Sequence, residues 1–251
     1  QAQYGEAFKN GAELAAKQVN DAGGIDGKKV KIVIQDDKGD PHEAVNVANK
    51  FVTDKDILAV VGHFNSSATL ATAPIYNKNK IVEISPSSSA PAVTNAGEYT
   101  FRVITTDAFQ AAYLADWSKE LGYRKVALIY EQSDFGLGLL DVYKNAAPKN
   151  NIEIVAAESY NPGDKDFSTV LTKIKEKQPD AIFIGGFYNE AALIAQQAQK
   201  LGLKTDYIGV DSLYSEALLE LGGDAVENMK LIGFFYPGGD NAEATRFNEE
   251  Y

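Results

Sequence analysis

Residues 125–185 read KVALIYEQSDFGLGLLDVYKNAAPKNNIEIVAAESYNPGDKDFSTVLTKIKEKQPDAIFIG, and the pattern of this segment gives the clearest indication of the fold class. Apolar, strand-like runs alternate here with segments whose apolar residues recur at helical spacing. The pattern predicts three strands and two helices, namely strands 125–131, 152–160 and 181–185 and helices 135–149 and 166–177. Strand–helix–strand repetition is typical of parallel sheets with helices on both faces, so we expect an α/β fold.

The same alternation continues on both sides of this stretch. Upstream, the pattern predicts helices at 3–22, 41–53, 66–77 and 107–121, and strands at 29–36, 57–62, 81–85 and 100–104. Downstream, it predicts helices at 190–201, 215–221 and 242–251, and strands at 207–210 and 231–236. The two series break near 104–107 without a flexible linker, which indicates two doubly wound parallel-sheet lobes joined by a tight hinge. The predicted divisions are lobe I at 1–105, lobe II at 106–236 and the start of a return segment at 237–251.

Both ends of the chain differ from a complete doubly wound lobe. The sequence opens within a predicted helix with no strand before it, and it stops within another helix. In such sheets the first strand is usually central and pairs on both sides. We therefore expect lobe I to be incomplete, lacking its first strand, and the C-terminal segment to be absent as well, unless a partner segment fills the gap.

Composition excludes several classes of function. The 251 residues contain 35 acidic and 24 basic side chains, a net charge of −11, with a pI near 4.7. Nucleic-acid binding and polybasic membrane contact both need a cationic surface, so neither is expected. The chain has no cysteine and two histidines, which excludes disulfides and Cys-ligated zinc and argues against any transition-metal site.

The sequence contains parts of a hydrolase motif and of a dinucleotide-binding motif, but neither motif is complete. His63 lies three residues before Ser66, yet the Gly-x-Ser-x-Gly motif of α/β hydrolases is absent. Gly136-Leu137-Gly138 follows a predicted strand, but Asp141 stands where a dinucleotide-binding loop has its third glycine. His42 follows a helix-initiating proline and is expected in solvent. A hydrolase or dehydrogenase is thus the weaker alternative, and we predict a protein that is not an enzyme and needs no cofactor.

Hydroxyl-rich segments follow two predicted strands of the first series. Residues 63–69 read HFNSSAT, and residues 85–91 read SPSSSAP. Ligands of open α/β sheets bind beyond the carboxyl ends of strands, and hydroxyls with free N–H groups near a helix start bind anions. The alternative is simple helix capping within a serine-rich loop.

In the second series, aromatic residues and one carboxylate follow the strands. Phe135, Phe187-Tyr188 and Asp211 occupy these positions. Aromatic walls with a single acid fit a cationic group, although core packing and helix capping explain the same residues. Asp107 is interpreted as the cap of helix 107–121.

Taken in order along nearly the whole chain, several segments resemble the type I periplasmic solute-binding proteins. The resemblance is specifically to the branched-chain amino acid (leucine/isoleucine/valine) binding proteins of ABC transporters. The matching segments are 10–25, 36–44, 61–67, 84–91, 164–167, 185–188 and 202–203, among them Val61-Gly62-His63, Ile84-Ser85-Pro86 and Gly185-Gly186-Phe187-Tyr188.

The resemblance implies two lobes that close on one amino acid. The hydroxyls of Ser66 and Ser89, with the backbone of Ser87 and Ser89, would hold the ligand carboxylate. Asp211 would pair with the ligand ammonium. The cleft-lining residues it implies are Tyr4, Phe135 and Phe187.

The resemblance also carries departures that affect the ligand. Phe187 stands where tyrosine is frequent in the family, and Asp211 is shorter than the glutamate often found there. Asn65 and Phe109 are expected near the ligand side chain, so a polar, aromatic or γ-amino ligand stays open beside an aliphatic one.

As a whole, the resemblance implies an exported receptor, periplasmic or extracellular. It would act as a monomer and deliver its ligand to the membrane permease of an ABC importer. The alternative is an amide or small-molecule sensor domain with the same fold.

Overall fold

The computed structural model describes residues 2–234 and 241–251. Within these ranges the helices are α1 (Ala2–Asp21), α2 (Pro41–Thr53), α3 (Ser66–Asn79), α4 (Asp107–Glu120), α5 (Asp134–Ala146), α6 (Ser168–Lys177), α7 (Tyr188–Lys200), α8 (Glu216–Gly222) and α9 (Ala242–Glu250). The strands are β1 (Ala59–Val61), β2 (Val82–Ser85), β3 (Thr100–Arg102), β4 (Lys125–Glu131), β5 (Glu153–Tyr160), β6 (Ala181–Gly185), β7 (Asp206–Gly209) and β8 (Lys230–Leu231).

These strands form two parallel sheets. The N-terminal sheet has the order β1-β2-β3, and the C-terminal sheet has the order β5-β4-β6-β7-β8. Every strand pair in both sheets is parallel, with helices in the connections. The predicted α/β class with parallel sheets is therefore confirmed. The chain passes from one sheet to the other through residues 103–106, and we refer to the parts built on the two sheets as the N-terminal and C-terminal lobes.

The core of the C-terminal lobe lies on both faces of its sheet. Strand β4 is hydrogen-bonded on both edges, and its side chains alternate between two apolar clusters. Ala127 and Ile129 pack toward α6 and α7, whereas Val126 and Leu128 pack toward α4 and α5. This two-sided burial explains why the sequence of β4 is almost continuously apolar.

The N-terminal lobe has a smaller apolar core and a buried polar network. Its core cluster contains Ala48, Val60 and Tyr76. The carboxylate of Glu83 is fully buried and accepts hydrogen bonds from the hydroxyls of Thr72 (2.9 Å) and Thr100 (3.1 Å). The two donors offset the cost of burying this acid, and burial raises its pKa.

Three predictions from the sequence differ from the structure. The alternating segment 29–36 forms no strand, because no neighbouring strand within the described residues supplies ladder hydrogen bonds. Thr106, not Asp107, is the N-cap of α4, and Asp107 is instead the first helical residue. The predicted strand 231–236 is observed only at Lys230–Leu231, and its residues 235–236, like residues 237–240 of the predicted return segment, lie outside the described residues.

Candidate functional site

The predicted site residues lie beyond the carboxyl ends of the parallel strands, with Tyr4 added from α1. In chain order, Asn65 and Ser66 follow β1, Ser87 and Ser89 follow β2, Phe135 follows β4, Phe187 follows β6, and Asp211 follows β7. The carboxyl edges of the two sheets approach one another, and we call the region between them the interlobe crevice. The amide of Asp134 donates across it to the Ser67 hydroxyl at 3.1 Å.

The serines form the N-terminal wall of the crevice. Ser66 and Ser89 are each 3 % exposed, and the Ser66 hydroxyl accepts the Ala90 amide at 3.2 Å. The Ser87 hydroxyl donates to the Phe64 carbonyl at 2.8 Å, and its amide lies 3.3 Å from the Ser85 hydroxyl. The hydroxyl and amide of Ser87 are therefore directed at neighbouring backbone and side-chain atoms.

Helix α3 begins at this wall without a side-chain cap. Its N-cap residue, Asn65, makes no capping hydrogen bond, and its Nδ2 donates at 3.4 Å to the Gly39 carbonyl instead. The Asn65 Oδ1 is buried without a partner among the described residues. Uncapped amides at a helix N-terminus favour an anion, so the start of α3 can receive a carboxylate.

Aromatic side chains from both lobes fill the middle of the crevice. Tyr4 stacks on Phe64 with ring centroids 4.8 Å apart, and Phe64 lies 5.9 Å from Phe187. Phe187 in turn lies 5.3 Å from Phe135, and Tyr4 meets Tyr188 edge-on at 5.2 Å. The three predicted aromatic residues thus lie together, and Phe64 is an additional member that the sequence did not single out.

Asp211 lies at the C-terminal wall, close to this aromatic cluster. The Tyr4 hydroxyl donates to the Ser212 carbonyl at 2.5 Å, and burial together with the charge of Asp211 raises the pKa of Tyr4. Burial also raises the pKa of Asp211, although the nearby Gln110 side chain and Ser212 amide oppose the shift. This half-buried carboxylate forms no ion pair with a cationic side chain of the described residues, so it is suited to a positively charged ligand group.

Two further polar residues lie beside Asp211. Asp107 and Gln110 are fully buried, and the Gln110 amide nitrogen donates to Asp107 Oδ1 at 3.1 Å. Burial raises the pKa of Asp107 to about 7, and the charge of Asp211 adds to the shift. Sequence reasoning missed both residues because Asp107 at a helix start is the pattern of an exposed cap.

The arrangements considered for catalysis have structural explanations. His63 Nδ1 contacts Asp37 Oδ2 at 2.6 Å, and its Nε2 lies 3.3 Å from the Tyr76 hydroxyl, so its contacts are to Asp37 and Tyr76, not to Ser66. A Cβ on Gly136 would lie 2.1 Å from the Glu131 carbonyl oxygen, so close helix–strand packing explains this glycine.

The sequence predicted that His42 is exposed and that Phe109 lies near the ligand side chain, and these two predictions have different outcomes. His42 is exposed, as predicted. Phe109 is 58 % exposed and stacks on Tyr113, and its position near the ligand side chain stays a prediction.

Other kinds of site are not found among the described residues. Within them, no group of three or more His, Cys, Asp and Glu side chains could hold a metal ion. No helix in residues 2–234 and 241–251 is both long and apolar enough to cross a membrane. Two surface depressions lie on the C-terminal lobe, one around Leu203 and Asp224 and one around Asp164 and Leu193, and neither contains a predicted site residue.

Known proteins share this architecture along the whole chain. The family model described as periplasmic binding protein matches residues 1–251. The chain belongs to this family. The recognition of a periplasmic binding protein from the sequence is therefore confirmed, and this family consists of solute-binding proteins.

Relatives within the family carry names that refer to amino acids. The Leu/Ile/Val-binding protein homolog 1 of Brucella suis is 37 % identical over 252 residues, 97 % of this chain. The leucine-, isoleucine-, valine-, threonine-, and alanine-binding protein of Pseudomonas aeruginosa is 34 % identical over 233 residues, 91 % of this chain. The crystal structure of the branched-chain amino acid transporter substrate binding protein LivJ from Streptococcus pneumoniae, in complex with isoleucine, superposes with a TM-score of 0.91. It is 34 % identical and matches 99 % of this chain and 72 % of that one.

The chain spans only part of these relatives. It covers 66 % of the Brucella suis protein and 61 % of the Pseudomonas aeruginosa protein. The comparisons therefore establish the fold and the family of this chain. They do not establish the ligand, partner or location of the whole protein.

Proposed function

We propose that the protein carrying this chain is an extracytoplasmic receptor that captures an amino acid in the interlobe crevice for an ABC importer. The observation that carries the proposal is the pairing of opposite chemistries across one crevice. The uncapped start of α3 and the buried serines lie on one wall, and the half-buried Asp211 lies on the other. A zwitterion has one charge for each wall.

In this proposal the carboxylate end of the ligand binds to the N-terminal lobe. The amides at the start of α3 and the hydroxyls of Ser66 and Ser89 supply donors. Arg102 donates to the carbonyls of Ser88 (3.2 Å) and Ala90 (2.9 Å), so its guanidinium group stabilises the backbone of the serine loop. Neutral donors and the helix N-terminus then stabilise the carboxylate without a counter-ion.

The ammonium end of the ligand binds to the C-terminal lobe. Asp211 supplies the charge, and Tyr4, Phe135 and Phe187 surround the bound molecule with apolar surface. Because each charged end contacts a different lobe, the ligand stabilises the closed arrangement more than any open one. Closure would then involve the connection at 103–106.

The ligand class we propose is branched-chain and related neutral amino acids. The named ligands of the Pseudomonas aeruginosa relative and the isoleucine complex of the Streptococcus pneumoniae structure support this class. The buried Oδ1 of Asn65 has no hydrogen-bond partner among the described residues, so it could also accept a hydrogen bond from a donor in the ligand side chain. We further propose an exported location and delivery to a membrane permease, with no enzymatic step.

Thermal unfolding against a panel of the twenty amino acids and a set of simple amides tests this proposal. At a ligand concentration of about 100 times Kd, a bound ligand stabilises the folded state by about 2.7 kcal/mol. We expect leucine, isoleucine or valine to raise the Tm, and calorimetry to give one site per chain. Stabilisation by amides alone would instead support the sensor-domain alternative.

A further inference from the structure

Asp107 and Gln110 carry two buried acceptor atoms that no described residue satisfies. Both side chains have no exposed surface, and the Gln110 Nε2 donates to Asp107 Oδ1 at 3.1 Å. The remaining atoms, Asp107 Oδ2 and Gln110 Oε1, have no hydrogen-bond donor within the described residues. Leaving such an acceptor unpaired costs about 1–3 kcal/mol, so the pair needs a donor or a proton from elsewhere.

Asp107 lies where the two lobes meet. Its amide donates to the Ser89 carbonyl at 2.9 Å, which ties the start of α4 to the serine wall. A Cβ on Gly138 of α5 would lie 3.7 Å from Asp107 Oδ2 and 3.1 Å from Pro91. Residues of both lobes therefore enclose the Asp107 carboxyl group, and separation of the lobes would admit water to it.

Asp107 and Asp211 both lie near the Gln110 side chain. The Gln110 Nε2 donates to Asp107 Oδ1, the nearby Gln110 amide lowers the pKa of Asp211 against the effect of burial, and the charge of Asp211 raises the pKa of Asp107. The other ionisable groups that act on this pair are Arg102, which lowers the pKa of Asp107, and Tyr4, which faces Asp211. If both carboxylates were ionised, two negative charges would lie beside a single ligand ammonium.

We propose that Asp107 and Gln110 are positioning residues for the ligand ammonium: Gln110 orients the Asp211 carboxylate, and Asp107 takes up one proton from solvent when the lobes close. This inference rests on the proposed function, since it concerns the same crevice. The two acids together then carry one negative charge, which matches one ammonium. Burial of a fully enclosed acid beside a second acid provides the driving force for the protonation.

Because Asp107 takes up a proton when the lobes close, ligand affinity should decrease as the pH rises. Burial raises the pKa of Asp107 to about 7 in this closed arrangement, whereas the hydrated group has its ordinary lower value. A raised pKa stabilises the closed form at low pH, and that stabilisation is lost as the pH rises through about 7. Affinity is therefore expected to fall about tenfold between pH 6 and pH 8.

Calorimetric titration of the full chain with L-leucine, L-isoleucine and L-valine at pH 6, 7 and 8 tests the role of Asp107. We expect the wild type to lose about tenfold in affinity across this range and Asp107→Asn to show a constant Kd. Glu120→Gln, which removes an exposed acid from the other end of α4, should keep the wild-type slope. A wild-type slope in Asp107→Asn, or a flat wild-type profile, overturns the assignment.

The Gln110→Met variant tests the orienting role separately. Methionine keeps the length of the side chain and removes the amide, so we expect at least tenfold weaker binding at every pH with the pH slope retained. The Tm of the ligand-free variant shows whether it folds. Wild-type affinity in a folded Gln110→Met protein overturns the positioning role.

Failure of the proposed function has a different signature from failure of this inference. If none of the three amino acids binds the wild type at any pH, the proposed ligand class is wrong. Urea unfolding of a Ser67→Cys, Asp134→Cys protein, bridged between the two lobes so that they stay closed without ligand, then decides the inference. The unfolding equilibrium constant of this bridged protein should rise about tenfold more than that of its Asp107→Asn counterpart between pH 6 and 8, and equal slopes overturn the protonation of Asp107.

Discussion

At the scale of single residues, Asp211 is the acid on which ligand affinity should depend most. Burial raises the pKa of Asp211, which means that its charged form is destabilised in the free site. A cationic group bound beside it therefore stabilises that charged form strongly. We expect Asp211→Ala to weaken binding of L-leucine by about 3–5 kcal/mol, because the ligand ammonium is then buried unpaired. Calorimetry measures the loss, and Asp224→Asn, at an exposed acid of the same lobe, should leave Kd unchanged. Wild-type affinity in Asp211→Ala would remove this residue from the site.

A second residue-scale prediction concerns the glycine before Phe187. A Cβ on Gly186 would lie 1.7 Å from the Tyr160 hydroxyl and 3.0 Å from its ring carbon Cζ. Gly186→Ala should therefore lower the free energy of unfolding by about 1–3 kcal/mol, as overpacking does. The Tyr160 hydroxyl has no hydrogen-bond partner among the described residues, so Tyr160→Phe alone should be nearly neutral.

The double variant separates this clash from a general effect of alanine. Tyr160→Phe removes the atom that the new methyl group meets first, so Gly186→Ala should cost clearly less in that background. Urea unfolding of the four proteins forms a double-mutant cycle. Equal costs in both backgrounds would contradict the steric explanation.

Sequence reasoning predicted some residues of the crevice better than others. Ser66, Ser89 and Asp211 follow strands and belong to polar segments, so their position could be predicted from topology alone. The positions of Phe64 and Gln110 could not be predicted in this way. An aromatic residue after a strand, or a glutamine within a helix, has the same neighbours in sequence whether it lies in a core, on the surface or in a binding site. Their roles depend on which elements meet across the crevice, and no local pattern encodes that meeting.

At the scale of elements, the pair formed by Asp37 and His63 joins an extended segment to the serine wall. The two side chains are 2.6 Å apart, and the His63 carbonyl accepts hydrogen bonds from the hydroxyls of Ser85 (2.7 Å) and Ser88 (3.2 Å). Burial tends to raise the pKa of Asp37, but the hydrogen bonds from His63 and the Gly39 amide outweigh it, and the pKa is lowered. This pair therefore holds the two hydroxyl-rich segments in register.

The lowered pKa of Asp37 gives a prediction with a defined pH window. A lowered pKa stabilises the folded state above the ordinary value, and this contribution is lost as the pH falls below about 4. Asp37→Asn should reduce the free energy of unfolding by about 1–3 kcal/mol at pH 7, and the difference should shrink in acid. Urea unfolding at pH 7 and pH 3.5 measures both, with Asp56→Asn at an exposed position as the control. A difference that grows in acid would contradict the expected sign of the pH dependence.

The elements themselves were largely predictable where packing and periodicity agree. Strands β4 and β6 appear at the predicted residues because their continuous apolar runs are buried on both faces. Helix α2 begins as predicted, since Asp40 caps the amides of His42 and Glu43. The segment 29–36 has an equally regular alternation but forms no strand, because a strand is defined by a neighbour and alternation describes only one chain.

At the scale of the whole molecule, the family comparison and the observed fold support the same α/β architecture with two parallel sheets. The resemblance carried by the sequence motifs is confirmed by the family model over residues 1–251 and by a structure with a TM-score of 0.91. The lobe limits at 1–105 and 106–236, the monomeric state and the ligand roles of the site residues stay predictions. Several motifs spread along the chain are enough to identify its family. A lobe boundary or a ligand contact depends on a few residues, and these residues can differ between members of the family.

Engineered cysteines at the lobe contact test whether the closed arrangement is the one that a ligand stabilises. The Asp134 amide lies 3.1 Å from the Ser67 hydroxyl, which confines the two Cα atoms to within about 7 Å, close to the upper limit for a disulfide. The 251 residues contain no cysteine, so a Ser67→Cys, Asp134→Cys double variant has a single possible bridge within them. We expect the bridge to form under mild oxidation and to form more completely with L-leucine present, because the ligand favours closure.

The outcomes of this cross-linking separate two descriptions of the molecule. Free-thiol titration and intact mass measure the fraction bridged, and a Ser67→Cys, Glu120→Cys variant controls for non-specific oxidation. If leucine binds yet leaves the bridged fraction unchanged, the ligand does not select the closed arrangement, and contacts to both lobes are not its source of affinity. If leucine increases the fraction and Asp211→Ala abolishes that increase, the acid of one lobe closes the crevice through the ligand, as the charge pattern of the two walls requires.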